Sequence, residues 1–174
     1  MLQVGTILHG TYKIESYLAS GGFGNTYLAM NIEFDETYAI KEFFVKGVCQ
    51  RDGNSTTISV SNAENTNSFE QQREKFKKEA RRLRSLSNPH IVKVYDLFEE
   101  NGTAYYVMDY VDGENLSTRL KRTNASLAES EVRNYLNQIL DGLEAIHNEG
   151  MFHLDIKPAN IMVDSHDIVK LIDF

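Results

Sequence analysis

The stretch His153-Leu-Asp-Ile-Lys-Pro-Ala-Asn160 sets a carboxylate (Asp155), an ammonium (Lys157) and an amide (Asn160) close together, and Asp173-Phe174 follows a little further on. Pro158 should keep Asp155 and Lys157 on a loop rather than a helix. Asn160 then opens a short strand around Ile161 to Val163, and a hairpin returning through Val169 to Ile172 would bring Asp173 beside it. That set suits a hydroxyl nucleophile, a phosphoryl group and Mg²⁺, because Mg²⁺ prefers hard oxygen ligands and one or two carboxylates. A purely structural loop rarely carries all of these groups at once.

Two earlier features bear on the same chemistry. Between Leu18 and Thr26 lies Ser20-Gly-Gly-Phe-Gly24, and glycines let backbone N–H groups approach phosphate oxygens without a Cβ in the way. Taken alone, an ordinary hairpin turn explains this cluster equally well. Ala19 stands where a G-x-G-x-x-G pattern has its first glycine, and the strand after Gly24 excludes a dinucleotide loop, which needs a helix there. Lys41, in Tyr38-Ala-Ile-Lys41, has apolar strand neighbours, so its ammonium should face a cleft and need a partner. Glu79, at the margin of a helical apolar stripe, is the candidate. On these features alone, an edge-strand lysine fits equally well, and a surface glutamate among Lys77, Lys78, Arg81 and Arg82 fits slightly better.

The elements that must hold these groups follow from periodicity. Strands are expected at Tyr12 to Leu18, Thr26 to Met30 and Thr37 to Phe43, where apolar residues alternate or β-branched and aromatic types gather. Residues 44–67 are crowded with Asn, Ser, Thr and Gly and read as a surface insertion, to which Thr57-Ile-Ser-Val60 adds a short hairpin. Ser68 should cap a helix bearing Phe69, Phe76, Ala80, Leu83 and Leu86, with Asn88-Pro89 ending it. Ile91 to Glu99 and Thr103 to Tyr110 form strands joined by Asn101-Gly102, a strong hairpin signal. A capping box, Ser126-Leu-Ala-Glu129, should open a second helix running to about His147, with Val132, Leu136, Ile139, Leu143 and Ile146 on one face, part of which is expected to be exposed in this chain.

Bulk properties exclude several classes. The chain has 174 residues, 41% of them hydrophobic, enough for a core. Acidic residues outnumber basic ones 25 to 18, for a net charge of −7, which argues against nucleic acid as a partner. One cysteine, Cys49, excludes an internal disulfide framework and fits a reducing compartment. No signal peptide and no membrane-length apolar run is present, so a cytoplasmic location is expected; an anchor beyond Phe174 would lie outside this sequence.

Taken in order, the glycine-rich loop, the Ala-Ile-Lys strand, the helix glutamate, the His-x-Asp-x-Lys-x-x-Asn loop and the Asp-Phe pair resemble the protein kinase family, over residues 12–174. Lys157-Pro158 resembles the Ser/Thr-specific version, and Gly22 to Ala29 with Ala39 to Phe44 is similar to bacterial, eukaryotic-like Ser/Thr kinases. The resemblance implies an α+β, protein-kinase-like fold: an antiparallel β-sheet N-lobe with one main helix (residues 1–111) and an incomplete, mostly helical C-lobe (112–174). It implies MgATP as phosphoryl donor and a protein Ser or Thr hydroxyl as acceptor. By similarity, Lys41 would hold the α- and β-phosphates and pair with Glu79. The loop Gly21, Gly22, Phe23 and Gly24 would cover the phosphates. Asp155 would take the hydroxyl proton, and Lys157 would offset charge on the moving phosphoryl group. Asn160 and Asp173 would bind Mg²⁺, and His153 would brace the Asp-Phe backbone. The adenine slot would be walled by Leu18, Thr26 and Ala39 above and Met162 below, with Met108 as gatekeeper and the backbone of Asp109 and Val111 on the base edge.

The departures are Ala19 in the loop, the long 44–67 insertion between Lys41 and Glu79, and Leu154 where many members have Arg, which puts control by a phosphorylated activation loop in doubt. The chain stops inside the Asp-Phe-Gly motif, so it is expected to transfer phosphate poorly unless the missing C-terminal half is supplied. Two alternatives stand beside the enzyme: a pseudokinase or scaffold module, and a small-molecule kinase of the aminoglycoside or choline type, against which Lys157-Pro158 and the loop glycines argue.

Overall fold

The computed structural model describes residues 1–21, 24–124 and 126–173. Gly22, Phe23 and Phe174, singled out above, lie outside the described residues. The chain divides into two compact units, Met1–Arg82 with Val94–Tyr110, and Leu83–Lys93 with Val111–Phe174.

The first unit contains β1 (Ile7–Leu8), β2 (Tyr12–Gly21), β3 (Gly24–Asn31), β4 (Glu36–Phe43), β5 (Cys49–Arg51), β6 (Ile58–Val60), most of α1 (Ala63–Ser85), β7 (Val94–Glu100) and β8 (Thr103–Asp109). An antiparallel sheet runs β1-β2-β3-β4-β8-β7, and β5 pairs with β6 apart from it. Because side chains alternate along a strand, the sheet sorts its residues onto two faces. One face buries Ile14, Tyr27, Ile40, Tyr105 and Val107 with Leu8 and Phe98. On the other, α1 lays Phe69 and Phe76 against Phe43, with ring centroids 5.2 and 5.5 Å apart, and Phe76 meets Tyr106 at 4.9 Å. The β7–β8 turn has Asn101 and Gly102 at φ 54° and 74°, the left-handed pair that a two-residue hairpin requires.

Two expectations shift here. Helix α1 begins at Ala63 rather than beyond Ser68. Asn62 is positioned as its cap, its Oδ1 accepting from the Asn65 N–H at 2.9 Å, while the Ser68 hydroxyl accepts from Gln72 Nε2 at 3.3 Å inside the helix. Asn is as good a cap as Ser, and the weak propensity of residues 63–67 yields to the helix that Phe69 and Phe76 anchor. The expected insertion therefore ends at residue 62, and its hairpin is β5–β6.

The second unit adds β9 (Gly113–Asn115), α2 (Leu116–Arg122), α3 (Glu129–Asn148), a 3-10 turn at Pro158–Asn160, β10 (Ile161–Asp164) and β11 (Val169–Leu171), with sheet order β11-β10-β9. Neither β9 nor α2 is legible in the periodicity. Asn115 caps α2, its Oδ1 accepting from Thr118 N–H at 2.8 Å. The capping box does not form: Ala128 is the N-cap of α3 and no side chain caps it. Only part of the apolar face of α3 is covered, as expected. Tyr135, Gly142 and Ile146 are buried, whereas Val132 and Leu136 are exposed. At Gly142 the helix comes closest to its neighbours: an added Cβ would sit 3.2 Å from Leu171 Cδ1 and 3.3 Å from His90 Cβ. The segment after α1 joins β11 rather than starting β7: Leu171 N–H donates to His90 O at 2.8 Å, and Val92 N–H to Leu171 O at 3.2 Å. Among the described residues no helix is long and apolar enough to cross a membrane.

Candidate active site

In the second unit, the loop 153–160 is bound to the segment that leads from β11 to Asp173. His153 is 3% exposed, and its Nε2 lies 2.8 Å from the Ile172 carbonyl oxygen. Its Nδ1 accepts from the Asp155 N–H at 3.2 Å, so the ring proton belongs on Nε2, which donates to Ile172. The Ile172 N–H in turn donates to Asn160 O at 3.1 Å. One imidazole thus links the loop to the residue before Asp173.

Pro158 opens a single 3-10 turn through Asn160, which suits its fixed φ and missing donor. Asn160, 5% exposed, is aimed back along the loop: its Nδ2 donates to both the backbone oxygen and Oδ2 of Asp155 at 2.9 Å. Lys157 Nζ is 3.1 Å from the same Asp155 Oδ2. Asp155, Lys157 and Asn160 are therefore one hydrogen-bonded group. The Lys157 ammonium, followed by the Asn160 amide, holds the Asp155 carboxyl below the usual carboxylate range. Leu154, between His153 and Asp155, has φ 67°, and Asp173 has φ 55°. For leucine this left-handed backbone costs about 1–2 kcal/mol, a strain found where function over-determines the chain.

In the first unit the register gathers a second set. Thr26, Lys41 and Tyr106 are cross-strand partners, and Leu28, Ala39 and Met108 form the next parallel row on the same face. Lys41 Nζ lies 5.7 Å from the centre of the Tyr106 ring. Leu18 falls at the β-bulge between Tyr17 and Ala19, and Asp109 ends β8. Glu79 is on α1, a helical turn from Phe76, which touches Phe43 and Tyr106 on that same face. Val111 and Met162 belong to the second unit, so the residues named for the adenine slot are divided between the two units. Gly21 and Gly24 are glycine for different reasons. A Cβ on Gly21 would meet nothing within 4 Å, whereas one on Gly24 would lie 2.7 Å from the Glu42 carbonyl oxygen.

The protein kinase domain family matches residues 12–174, and the chain belongs to it. It is 34% identical to mitogen-activated protein kinase kinase kinase 2 of Arabidopsis thaliana over 90% of its length, and 33% identical to serine/threonine-protein kinase PrkC of Bacillus subtilis over 98%. Among solved structures, the apo form of PpkA-294 superposes with a TM-score of 0.93 at 28% identity, over 99% of this chain. The chain spans 22% and 23% of those two relatives and 61% of that solved chain.

The sequence reading missed one charged pair near this site, Glu42 with Arg51. A glutamate in step with Ile40 on a buried strand face was the available signal, since a buried carboxylate demands a partner.

Proposed function

We propose that this chain supplies the nucleotide-binding and phosphoryl-transfer residues of a protein Ser/Thr kinase, which moves the γ-phosphoryl group of MgATP to a Ser or Thr hydroxyl of a protein substrate. The observation that carries the reading is the hydrogen-bonded group Asp155–Lys157–Asn160, tied through His153 to the residue preceding Asp173. On this reading an N-lobe of residues 1–111 precedes a C-lobe starting at 112, whereas residues 83–93 and Val111 group with the second compact unit.

Asp155 is kept ionised by Lys157 and can accept the proton of the acceptor hydroxyl. As that oxygen bonds to the γ-phosphorus, the bond to the β–γ bridging oxygen breaks and ADP leaves. Lys157 lies beside the transferring group's negative charge. Lys41, paired with Glu79, would orient the α- and β-phosphates, and the glycine-rich segment would cover them. On this reading Leu18, Thr26, Ala39, Met108 and Met162 are the residues assigned to adenine, with the backbone of Asp109 and Val111 assigned to its base edge. The donor set fits Mg²⁺: the Asn160 amide nitrogen is committed to Asp155, which leaves its Oδ1, with the Asp173 carboxylate, as hard oxygen donors. Bound there, Mg²⁺ would neutralise charge on the phosphates. The likeness to PrkC supports a bacterial-type member of the family.

In the full-length protein, Asp155→Asn should lower kcat by ~10²–10⁴ while leaving MgATP affinity near the wild-type value. A scaffold or pseudokinase would show no turnover to lose, and an unchanged kcat removes Asp155 from the mechanism.

A further inference from the structure

Directly beside Lys41, on the opposite face of β4, Glu42 is fully buried. Burying a carboxylate costs several kcal/mol unless it is paired and hydrogen-bonded. Its partner comes from the 44–62 insertion. Arg51, at the end of β5, makes a two-pronged contact, Nη2 to Oε2 at 2.6 Å and Nη1 to Oε1 at 3.2 Å, with its own side chain 4% exposed. The guanidinium is itself held by the Thr56 carbonyl at 3.0 Å and lies 5.8 Å from the Phe44 ring centre. Glu42 passes the constraint on: Oε1 accepts from Asn25 Nδ2 at 3.1 Å and from the Tyr27 hydroxyl at 3.4 Å. Asn25 is the cross-strand partner of both Ser20 and Glu42, at the root of the glycine-rich turn. The same insertion touches that turn a second time, through Lys46 Nζ and Ser20 Oγ at 3.0 Å.

We propose that the insertion is a strut for nucleotide binding: Arg51 and Glu42 are positioning residues that, through Asn25, fix the root of the glycine-rich turn and the strand carrying Lys41. This rests on the kinase reading above. The chemistry separates it from plain fold stabilisation. A buried ion pair contributes little net stability compared with a well-packed apolar pair of similar volume. Two methionines could fill the space, but they offer no directed acceptor to Asn25. The fold can do without the charges; the placement of Asn25 beside Ser20 cannot.

The test measures MgATP affinity by calorimetry and thermal unfolding on the full chain, for the wild type, Arg51→Lys, the double variant Glu42→Met/Arg51→Met, and Lys41→Met as a control for the nucleotide site. The double variant should unfold cooperatively near the wild-type Tm yet bind MgATP about tenfold more weakly, the cost of ordering the turn at binding. Arg51→Lys keeps the charge without the fork and should recover part of that affinity. If the double variant binds like the wild type while Lys41→Met is weakened, the strut is refuted and the kinase reading stands. A double variant that does not fold refutes it too, because the pair would then serve the fold. A wild type that binds no MgATP overturns both.

Discussion

In Gly24→Ala the new methyl carbon would be placed 2.7 Å from the Glu42 carbonyl oxygen, closer than the 3.0 Å that real Cβ atoms keep. The obstacle is backbone within the β3–β4 ladder, so it cannot rotate aside as a side chain would. The strand end must lift by a few tenths of an ångström, loosening the terminal pair Gly24 with Phe43. A weakened ladder hydrogen bond costs about 1 kcal/mol, and crowding of this kind about 1–3 kcal/mol. Gly24→Ala should therefore lose ~1–3 kcal/mol of stability. Gly21→Ala is the contrast: its Cβ would meet nothing within 4 Å, and its backbone is not left-handed. Its stability should stay within about 0.5 kcal/mol of the wild type, but the methyl would intrude where phosphate oxygens approach the backbone, weakening MgATP binding. Urea unfolding at constant m-value, beside nucleotide titration, measures both. Equal stability losses in the two variants, or none in Gly24→Ala, would refute this division between a glycine needed by the ladder and a glycine needed by the ligand.

Two further outcomes concern protonation. Lys157→Met should raise the titration midpoint of the Asp155 carboxyl, followed by ¹³C NMR, because the ammonium is the main cause of its depressed value; in the wild type any stability from this group is present above the unfolded carboxyl value and fades as pH falls through the folded one, and an unmoved midpoint would exclude Lys157 as the cause. Burial pushes the Tyr27 phenol up to about 12 and the Tyr105 phenol higher still, so both favour the native state below the unfolded value of about 10. That advantage is lost as pH rises through the folded values, and circular dichroism should show unfolding setting in above pH 10, with tyrosinate absorbance at 295 nm rising alongside; free ionisation of all tyrosines near pH 10 in a folded protein would contradict the buried phenols.

What was legible in the sequence was whatever local pattern determines. The Asn101-Gly102 hairpin follows from two residues that tolerate left-handed backbone, and the loop from His153 to Asn160 from a proline and a dense run of polar groups. The helix starts were not, because caps compete: Asn62 outran Ser68, and the chain reached Ala128 before Glu129 could engage Ser126. On α3 the closest approach, at His90 and Leu171, is made at a glycine, which carries no hydrophobicity. Periodicity counts apolar side chains and is blind to a contact made by the lack of one.

Lys41 and Glu42 show where local reasoning stops. Strand alternation alone says that neighbours point to opposite faces, so a lysine facing Tyr106 implies a glutamate facing Tyr27 and Ile40. The same logic says that this glutamate must find a cation or be costly to bury. It does not say which one, because Arg51 reaches it from a hairpin whose register is set by its own pairing with β6 and by the Ile58 N–H bonded to the Asn101 carbonyl at 2.8 Å. In sequence the insertion reads as a surface segment, being polar and rich in turn residues. Its buried Arg51 nevertheless reaches Glu42 on the strand that carries Lys41, and a segment that merely looped out into solvent would have no reason to place an arginine there.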